Sequence, residues 1–464
     1  MQKEHGRYFL SVITTKHKGD TTVLNLDNSE FTIKCQQYEC KDYIENQEGT
    51  EAVFLFESRK KTEEAACPYC NGKVNIDGWT SKSIKDMPFR AGIKQELCFL
   101  CHRYRCVSCG RKSTEKIPNQ YPGTRITCRA ANWLKCLLRN KVSVRAVQNM
   151  TGIHWGTIRK IQQEMMETTL KDRTEELKKQ EYHPKYLAVD EFAIHKGHTY
   201  ATSVMDLETG EVLWVGKGRS KADFEKFFEE IEPSFITEVM AVAMDMNASY
   251  YKLFQEKLPQ TQIVFDRYHM QAQFGKDVLG VVRLDEARKH NAQAKELKKS
   301  LSAVDSQQKR ALKEEIKQEQ QQYAKIKKLR WTLLTNGNKL SEKQTAHLNE
   351  ILDAHSDLAV CYAMKEELCR LFTIRDSSEA ETAWKAWFQA AKESGIYALA
   401  HFAELKEKHI GGLIAHASFP ISTGKLEGFN NKIKVAKRVG YGYRDDEFFF
   451  LLVRFISLPQ PNFS

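Results

Sequence analysis

Three short apolar runs each lead into an aspartate, and no other pattern in the chain restricts the fold so strongly. They are Leu187-Ala188-Val189-Asp190, Val242-Ala243-Met244-Asp245 and Val264-Phe265-Asp266. Uninterrupted apolar runs of this length read as strands buried on both faces, inside a parallel or mixed sheet. A single aspartate at such an end is commonly a turn or helix cap. Three together predict carboxylates meeting at one edge of the sheet, where oxygen ligands suit hard divalent cations and phosphoryl transfer. The residues alone leave the choice between Asp245 and Asp266 open.

The surrounding pattern fits that sheet. The spacing predicts a strand over 183–189 leading into Asp190, a hairpin of 199–206 and 212–216, a helix over 222–232, and strands over 238–244 and 262–265. From 271 to about 407 the pattern is almost wholly helical. Its Lys/Glu/Gln-rich part, 286–328, carries no sustained apolar heptad, so it predicts solvated helical hairpins rather than a coiled coil. A helix starting near Gly424 places Glu427 in its first turn, with Asn431, Lys434 and Arg438 along the same face. The turn 440–443 and an apolar helix over 446–456 follow.

At 464 residues and 41% hydrophobic content the chain can build two to four domains. Its net charge of +11 is unevenly spread: residues 67–164 hold 18 Lys or Arg against 5 Asp or Glu, a balance of +13, so the remainder sums to −2. That local excess points to a polyanionic partner. No basic-led apolar signal segment opens the chain and no apolar run reaches the roughly 18 to 20 residues of a membrane span, which predicts a cytoplasmic protein with no membrane partner.

The basic region also holds Cys67-Pro68-Tyr69-Cys70 and Cys106-Val107-Ser108-Cys109. Two such pairs predict a zinc ribbon with four thiolate ligands, Gly72 and Gly110 supplying positive φ just beyond each pair. Cys98 and Cys101 form a third pair of equal spacing. They rank below Cys106 and Cys109 because no glycine follows and the stretch reads as strand. Cys128, Cys136, Cys361 and Cys369 lie in apolar helical patterns and read as core. Arg103, Arg105, Arg111 and Lys112 surround the second pair and are candidates for DNA phosphate contact. Residues 143–164 then read as a helix-turn-helix. Ser143 would cap the first helix, Val144, Val147 and Met150 would face inward, and Gly152 would make the turn. Ile153, Ile158 and Ile161 would be buried, leaving His154, Trp155, Thr157, Arg159 and Lys160 near DNA.

Several blocks together resemble one family. They are the ribbon cysteines with Arg103-Tyr104-Arg105, Val189-Asp190-Glu191, Met244-Asp245-Met246, and Phe265-Asp266-Arg267-Tyr268-His269. Further blocks are Leu329-Arg330-Trp331-Thr332-Leu333-Leu334, residues 340–344, Ser422 to Lys434, and Arg438 to Tyr443. Over nearly its whole length the chain is similar to the ISL3 family of insertion-sequence transposases, of the DDE type. That resemblance implies a multidomain protein. It implies a zinc ribbon, 61–118, and a helix-turn-helix DNA-binding domain, 124–170; the mixed amino-terminal region before them, 1–60, carries no recognised motif. An α/β ribonuclease-H-like core, 183–270 and 415–457, would be interrupted by an all-helical insertion, 271–414.

The resemblance maps a catalytic triad onto Asp190, Asp245 and Glu427, holding magnesium or manganese, with Asp266 and His269 beside it. It implies metal-dependent DNA cleavage and strand transfer. The partners would be double-stranded DNA, both terminal inverted repeats and target, and the protein would act as a dimer or higher oligomer on DNA within the bacterial nucleoid. Two other classes remain: a zinc-dependent DNA-binding regulator, which would tolerate loss of the acids, and a ribonuclease-H-like nuclease that cuts without joining.

Overall fold

The computed structural model describes residues 21–23 and 37–459 apart from Lys196, His198 and Val304. These form two compact units. One comprises the chain up to Arg173 with Lys437–Tyr443, the other Thr174–Ala436 with the chain from Arg444 onward.

The first unit is built on a six-stranded sheet of β1 (Thr21–Val23), β2 (Tyr38–Asn46), β3 (Glu51–Ser58), β4 (Val74–Asp86), β5 (Lys94–Cys106) and β6 (Lys112–Thr114). Its order is β1-β2-β3-β5-β4, with β6 also on β5. β5 is long enough to pair β3 in parallel through its first half and β6 antiparallel through Arg103–Arg105. Residues 38–58 are therefore continuous with the ribbon strands in one sheet, and position 60/61 is not a boundary within it. Aromatic packing across the β3–β5 pair explains this: Phe56 stacks on Phe99 with centroids 5.0 Å apart, and Tyr38 meets the same ring edge-on. β4 and β5 run 13 residues each.

Three helices follow in the same unit: α1 (Cys128–Arg139), α2 (Val144–Thr151) and α3 (Trp155–Lys179). Ser143 caps α2 through Ala146 N, and Gly152 ends it at φ 65°. Val147, Ile153, Ile158 and Ile161 are buried as the pattern requires. Met150 is not: it is 51% exposed, and Thr151 takes the inward position one turn after Val147, its hydroxyl donating to the Val147 carbonyl.

The second unit holds a five-stranded mixed sheet of β7 (Tyr186–His195), β8 (Thr199–Asp206), β9 (Val212–Lys217), β10 (Ala241–Met244) and β11 (Gln262–Phe265), ordered β11-β10-β7-β8-β9. β7, β10 and β11 are parallel, while β8 is antiparallel to both β7 and β9. This is a mixed sheet resembling the ribonuclease-H-like fold. β7 does not stop at Asp190. Its ladder with β8 continues to His195↔Thr199, because Phe192 and Ile194 keep alternating into buried positions.

Helices α4 (Lys221–Glu230), α5 (Ala248–Lys257) and α6 (Arg267–Phe274) accompany the strands. A π-helical turn, Gly275–Leu279, leads into α7 (Gly280–Ser300), which forms a hairpin with α8 (Ser306–Lys328). Six more helices complete the helical stretch: α9 (Arg330–Leu334), α10 (Glu342–Ala354), α11 (Ser356–Leu371), α12 (Ser377–Glu393), α13 (Tyr397–Glu407) and α14 (Ile410–Ile414). Val242 and Phe265 of the sheet and Phe274, Leu333, Trp384 and Phe388 of this stretch belong to one continuous core. The chain then returns through α15 (Gly424–Val439) and α16 (Asp446–Ser457), whose Phe449 packs on Phe192. Among the described residues no helix is long and apolar enough to cross a membrane.

In the first unit, buried Asp86 ties the sheet to the helices: it accepts from the Thr127 hydroxyl, the Arg129 guanidinium and Gln95 Nε2. Asp86→Ala leaves these donors without their acceptor, and because Arg129 is partly solvated the expected loss is about 2 kcal/mol. Amide hydrogen exchange should quicken across residues 128–151, with exchange in the second unit unchanged.

Candidate active site and metal centre

The register of the parallel strands brings the three aspartates to one level. Ala188 of β7 pairs with Ala243 of β10, and Met244 of β10 with Phe265 of β11. Asp190 and Asp245 each lie two residues beyond the first pair; Asp245 and Asp266 each lie one beyond the second. Neighbouring strands are about 4.8 Å apart, so the three backbones follow one another across the sheet at that spacing. Side chains alternate along each strand. Leu187, Val189, Val242, Met244, Ile263 and Phe265 enter the large core. Asp190, Asp245 and Asp266 therefore share the opposite face, where Val264 packs with Ala415, Phe419 and Ile421.

That face is covered by the segment leading into α15. Thr423 N donates to Asp266 Oδ2 at 2.9 Å, and Asn430 Nδ2 donates to Asp190 Oδ2 at 2.8 Å. The phase of α15 follows from burial of Leu426, Phe429 and Ile433. Glu427, Asn431, Lys434 and Arg438 accordingly lie on its exposed side. The structure thus gathers Asp190, Asp245, Asp266 and His269, and sets Glu427 one helical turn before Asn430. The carboxylate oxygens of Asp190, Asp245 and Glu427 do not all three lie within 4.8 Å of one another. Asp190 Oδ1 accepts the Glu191 N–H and Asp245 Oδ1 the Met246 N–H. Asn430 is the residue the sequence reading missed. Its clue was the buried face of the helix, which passes through 430 rather than 431.

The electrostatics separate the carboxylates. Burial pushes Asp190 up to about 6, outweighing the Glu191 amide and the nearby His269. Burial acts in the same direction on Asp266, but His269 and the amides of Thr423 and His269 overcome it and bring it to about 2. Tyr268 N also donates to Asp266, so both its oxygens are engaged. His269 Nδ1 lies 3.4 Å from Asp266 Oδ1, an ion-pair distance without hydrogen-bond alignment. Asp266 raises His269 to about 9 despite burial, with Asp245 and Asp190 adding to the effect. A buried carboxylate that is costly to ionise, beside further carboxylates, is the donor set a hard divalent cation fits.

A second centre lies in the first unit. Cys67, Cys70, Cys106 and Cys109 place their sulfurs within 4.8 Å of one another, the one such group of His, Cys, Asp or Glu among the described residues. Cys67 and Cys109 are 3.6 Å apart and Cys70 and Cys106 3.4 Å. Zinc–sulfur bonds of about 2.3 Å in a tetrahedron require about 3.8 Å, so the cluster is consistent with a structural zinc site. The Cys109 amide leads in bringing Cys106 down to about 6.

The knuckles are alike: Cys67 N donates to Gly72 O, and Cys106 N to Arg111 O. At the second, Gly110 has φ 69° as expected. At the first, Asn71 takes the positive φ, 57°, while Gly72 is needed for space, since a Cβ there would sit 2.7 Å from Ser108 Oγ. Cys98 and Cys101 are apart from this centre. Three residues along a strand put them on opposite faces, and they enter different clusters.

Of the DNA-contact candidates in the first unit, Arg103, Arg105, Arg111, Lys112 and Lys160 are exposed. Arg105 and Lys112 share Asp77, and Arg111 lies over the Tyr69 ring. Thr157 is half-buried, as is Arg159, whose guanidinium sits 5.7 Å from the Tyr443 ring centroid.

A mixed sheet with aspartates aligned on adjacent parallel strands in one unit, and a four-cysteine centre in the other, basic unit, are consistent with a transposase of the DDE class. Residues 187–453 match the family described as transposase, DDE type, ISL3. The chain is 33% identical over 389 residues to the transposase for insertion sequence element IS1001 of Bordetella parapertussis, covering 84% of this chain and 87% of that one. It is 24% identical over 307 residues to the transposase for insertion sequence element IS1557 of Mycobacterium tuberculosis (strain CDC 1551 / Oshkosh), 66% of each chain. The protein belongs to the ISL3 family of insertion-sequence transposases.

Two outcomes follow. Zinc analysis should find about one ion per chain, lost in Cys106→Ser and retained in Cys98→Ser and Cys101→Ser. Asn430→Ala should lower the single-turnover DNA cleavage rate by about 10- to 100-fold with DNA affinity unchanged, the effect expected if Asp190, whose oxygen it holds, is a metal ligand.

Proposed function

We propose that this transposase binds the terminal inverted repeats of its insertion sequence, cuts the DNA at each end and joins the freed 3′ ends to target DNA. The observation that carries the reading is the shared register of Asp190 and Asp245, with α15 laid over them and Glu427 in its first turn. Asp190, Asp245 and Glu427 would hold two magnesium or manganese ions, and zinc would occupy the four cysteines. Divalent ions at such carboxylates supply Lewis acidity and activate an oxygen nucleophile for in-line attack on phosphorus.

The protein's own groups orient and neutralise. Asn430 fixes one Asp190 oxygen, and Asp266 clasps β11, α6 and Thr423 together, which supports Asp245 rather than Asp266 as the ligand. His269, held cationic by its acidic neighbours, offsets negative charge beside the scissile phosphate. Asn431, Lys434 and Arg438 extend along the exposed face from Glu427, suited to flanking backbone. The ribbon cations Arg103, Arg105, Arg111 and Lys112 and the start of α3, with Thr157, Arg159 and Lys160, would grip the repeats. Two ends held together require a dimer or higher assembly on DNA, and the site of action is the bacterial cytoplasm at the nucleoid.

The test mixes purified protein, its zinc content verified, with magnesium and DNA carrying the element's own ends. Wild type should nick and join. Asp190→Asn, Asp245→Asn and Glu427→Gln should each lose at least about 10³-fold in cleavage while binding the ends normally. Binding without nicking by wild type would favour a regulator, and nicking without joining a simple nuclease.

A further inference from the structure

Where α6 passes through its π-helical turn into α7, a pocket of about 210 Å³ opens against α9. Leu279, Leu284 and Leu333 give it apolar walls, and Lys276, Arg283 and Arg330 bring three cations to it. Arg283 is only 6% exposed. Its Nη1 donates to the Lys327 carbonyl at 2.7 Å, but its Nε has no hydrogen-bond partner. No carboxylate among the described residues forms an ion pair with Arg283 or Arg330.

A guanidinium cannot shed its proton to escape burial, so an unpaired buried arginine beside a second one is costly unless an anion joins them. Burial, with the Arg330 charge, pushes Arg283 below the usual arginine range, the sign of that cost. π-Helical turns widen the backbone and recur at binding sites. Paired guanidinium donors match the tetrahedral oxygens of phosphate, and the leucines suit an uncharged sugar.

We infer that this pocket receives a backbone phosphodiester of the DNA strand engaged at the active site. The inference rests on the DNA-cleaving reading above. Asp266 caps the start of α6 and the pocket begins at its end. Eight residues of helix span about 12 Å. That distance places the bound phosphate a few nucleotide steps at most from the scissile bond. Arg283, Arg330 and Lys276 would thereby fix how far the strand is threaded, a task separate from the chemistry.

The experiment labels lysines and arginines of the full chain carrying Asp190→Asn, which leaves DNA uncut, and reads each site by mass spectrometry. It is run without ligand, with an oligonucleotide duplex of the element end, and with inorganic phosphate alone. DNA should lower labelling of Lys276 and Arg330 about fivefold or more, while Lys299 and Arg310 at the far end of the α7–α8 hairpin stay reactive. Arg283→Met, close in volume, should require about tenfold more DNA for the same protection. Arg330→Gln, at an exposed position, should do likewise and serves if the first variant fails to fold. Equal labelling with and without DNA, or undiminished protection in both variants, would overturn the assignment. Equal protection by inorganic phosphate alone would overturn the DNA source in favour of a free anion. Since nothing is cut in this assay, its result stands apart from whether wild type nicks and joins ends.

Discussion

The parallel register of β7, β10 and β11 is the constraint on which the catalytic unit depends. A one-residue slip of β10 would send Asp245 into the core beside Phe265 and turn Met244 to the face where Thr423 and Asn430 lie. Burial prevents this. Val242 and Met244 are fully buried in the large core, whereas Ala241 and Ala243, also buried, present only small side chains to the other face. Those alanines, with Ala188, let the segment from Ala415 to Thr423 approach the sheet closely enough for main-chain N–H to reach Asp266. The hydrophobic alternation that stabilises the sheet thus also fixes where the carboxylates stand.

The same face divides labour between two aspartates of similar surroundings. Asp266 is satisfied by three backbone N–H groups and a cationic histidine, so its negative charge is already spent on holding the β11–α6 corner. Asp190 has one backbone N–H and the neutral amide of Asn430, and burial still lifts it to about 6. Charge that the protein has not compensated is what a cation can use. This supplies a physical ground for separating Asp266 from the proposed ligands, which the sequence reading took from family resemblance alone.

Much of this was legible because buried strands and metal knuckles leave strong local signatures. β11 occupies the predicted 262–265, and the Cys67/Cys70 and Cys106/Cys109 pairs meet as their spacing requires. What escaped depends on phase or on distant partners. Asp190 looked like a strand end because Glu191 interrupts the apolar run, yet Phe192 and Ile194 resume alternation and the β8 ladder carries on. Helical counting from Glu427 selected Asn431 at i+4, but Leu426, Phe429 and Ile433 set which side is buried, and that side presents Asn430 to the sheet. β2 was invisible locally, since Tyr-Glu-Cys-Lys-Asp-Tyr-Ile gives no clean alternation and its pairing is decided by β3 and β1.

The helical stretch between β11 and α15 is joined to the sheet by packing as well as by chain connectivity. Phe274 touches Trp387 and Phe402 edge-on, and Phe265 of β11 meets His409 just before α14. Gly412 in α14 sits so close to Phe265 that a Cβ would fall 2.4 Å from the ring, so no larger residue fits without moving β11. From there residues 415–422 lead from the end of α14 to Thr423 and the start of α15. The start of α15 is held to the sheet through Thr423 on Asp266 and Asn430 on Asp190, close in sequence to the last of these helices. Phe265 and Asp266 are consecutive, so the close approach of Gly412 and the clasp of Thr423 fall on the same corner of β11 and α6.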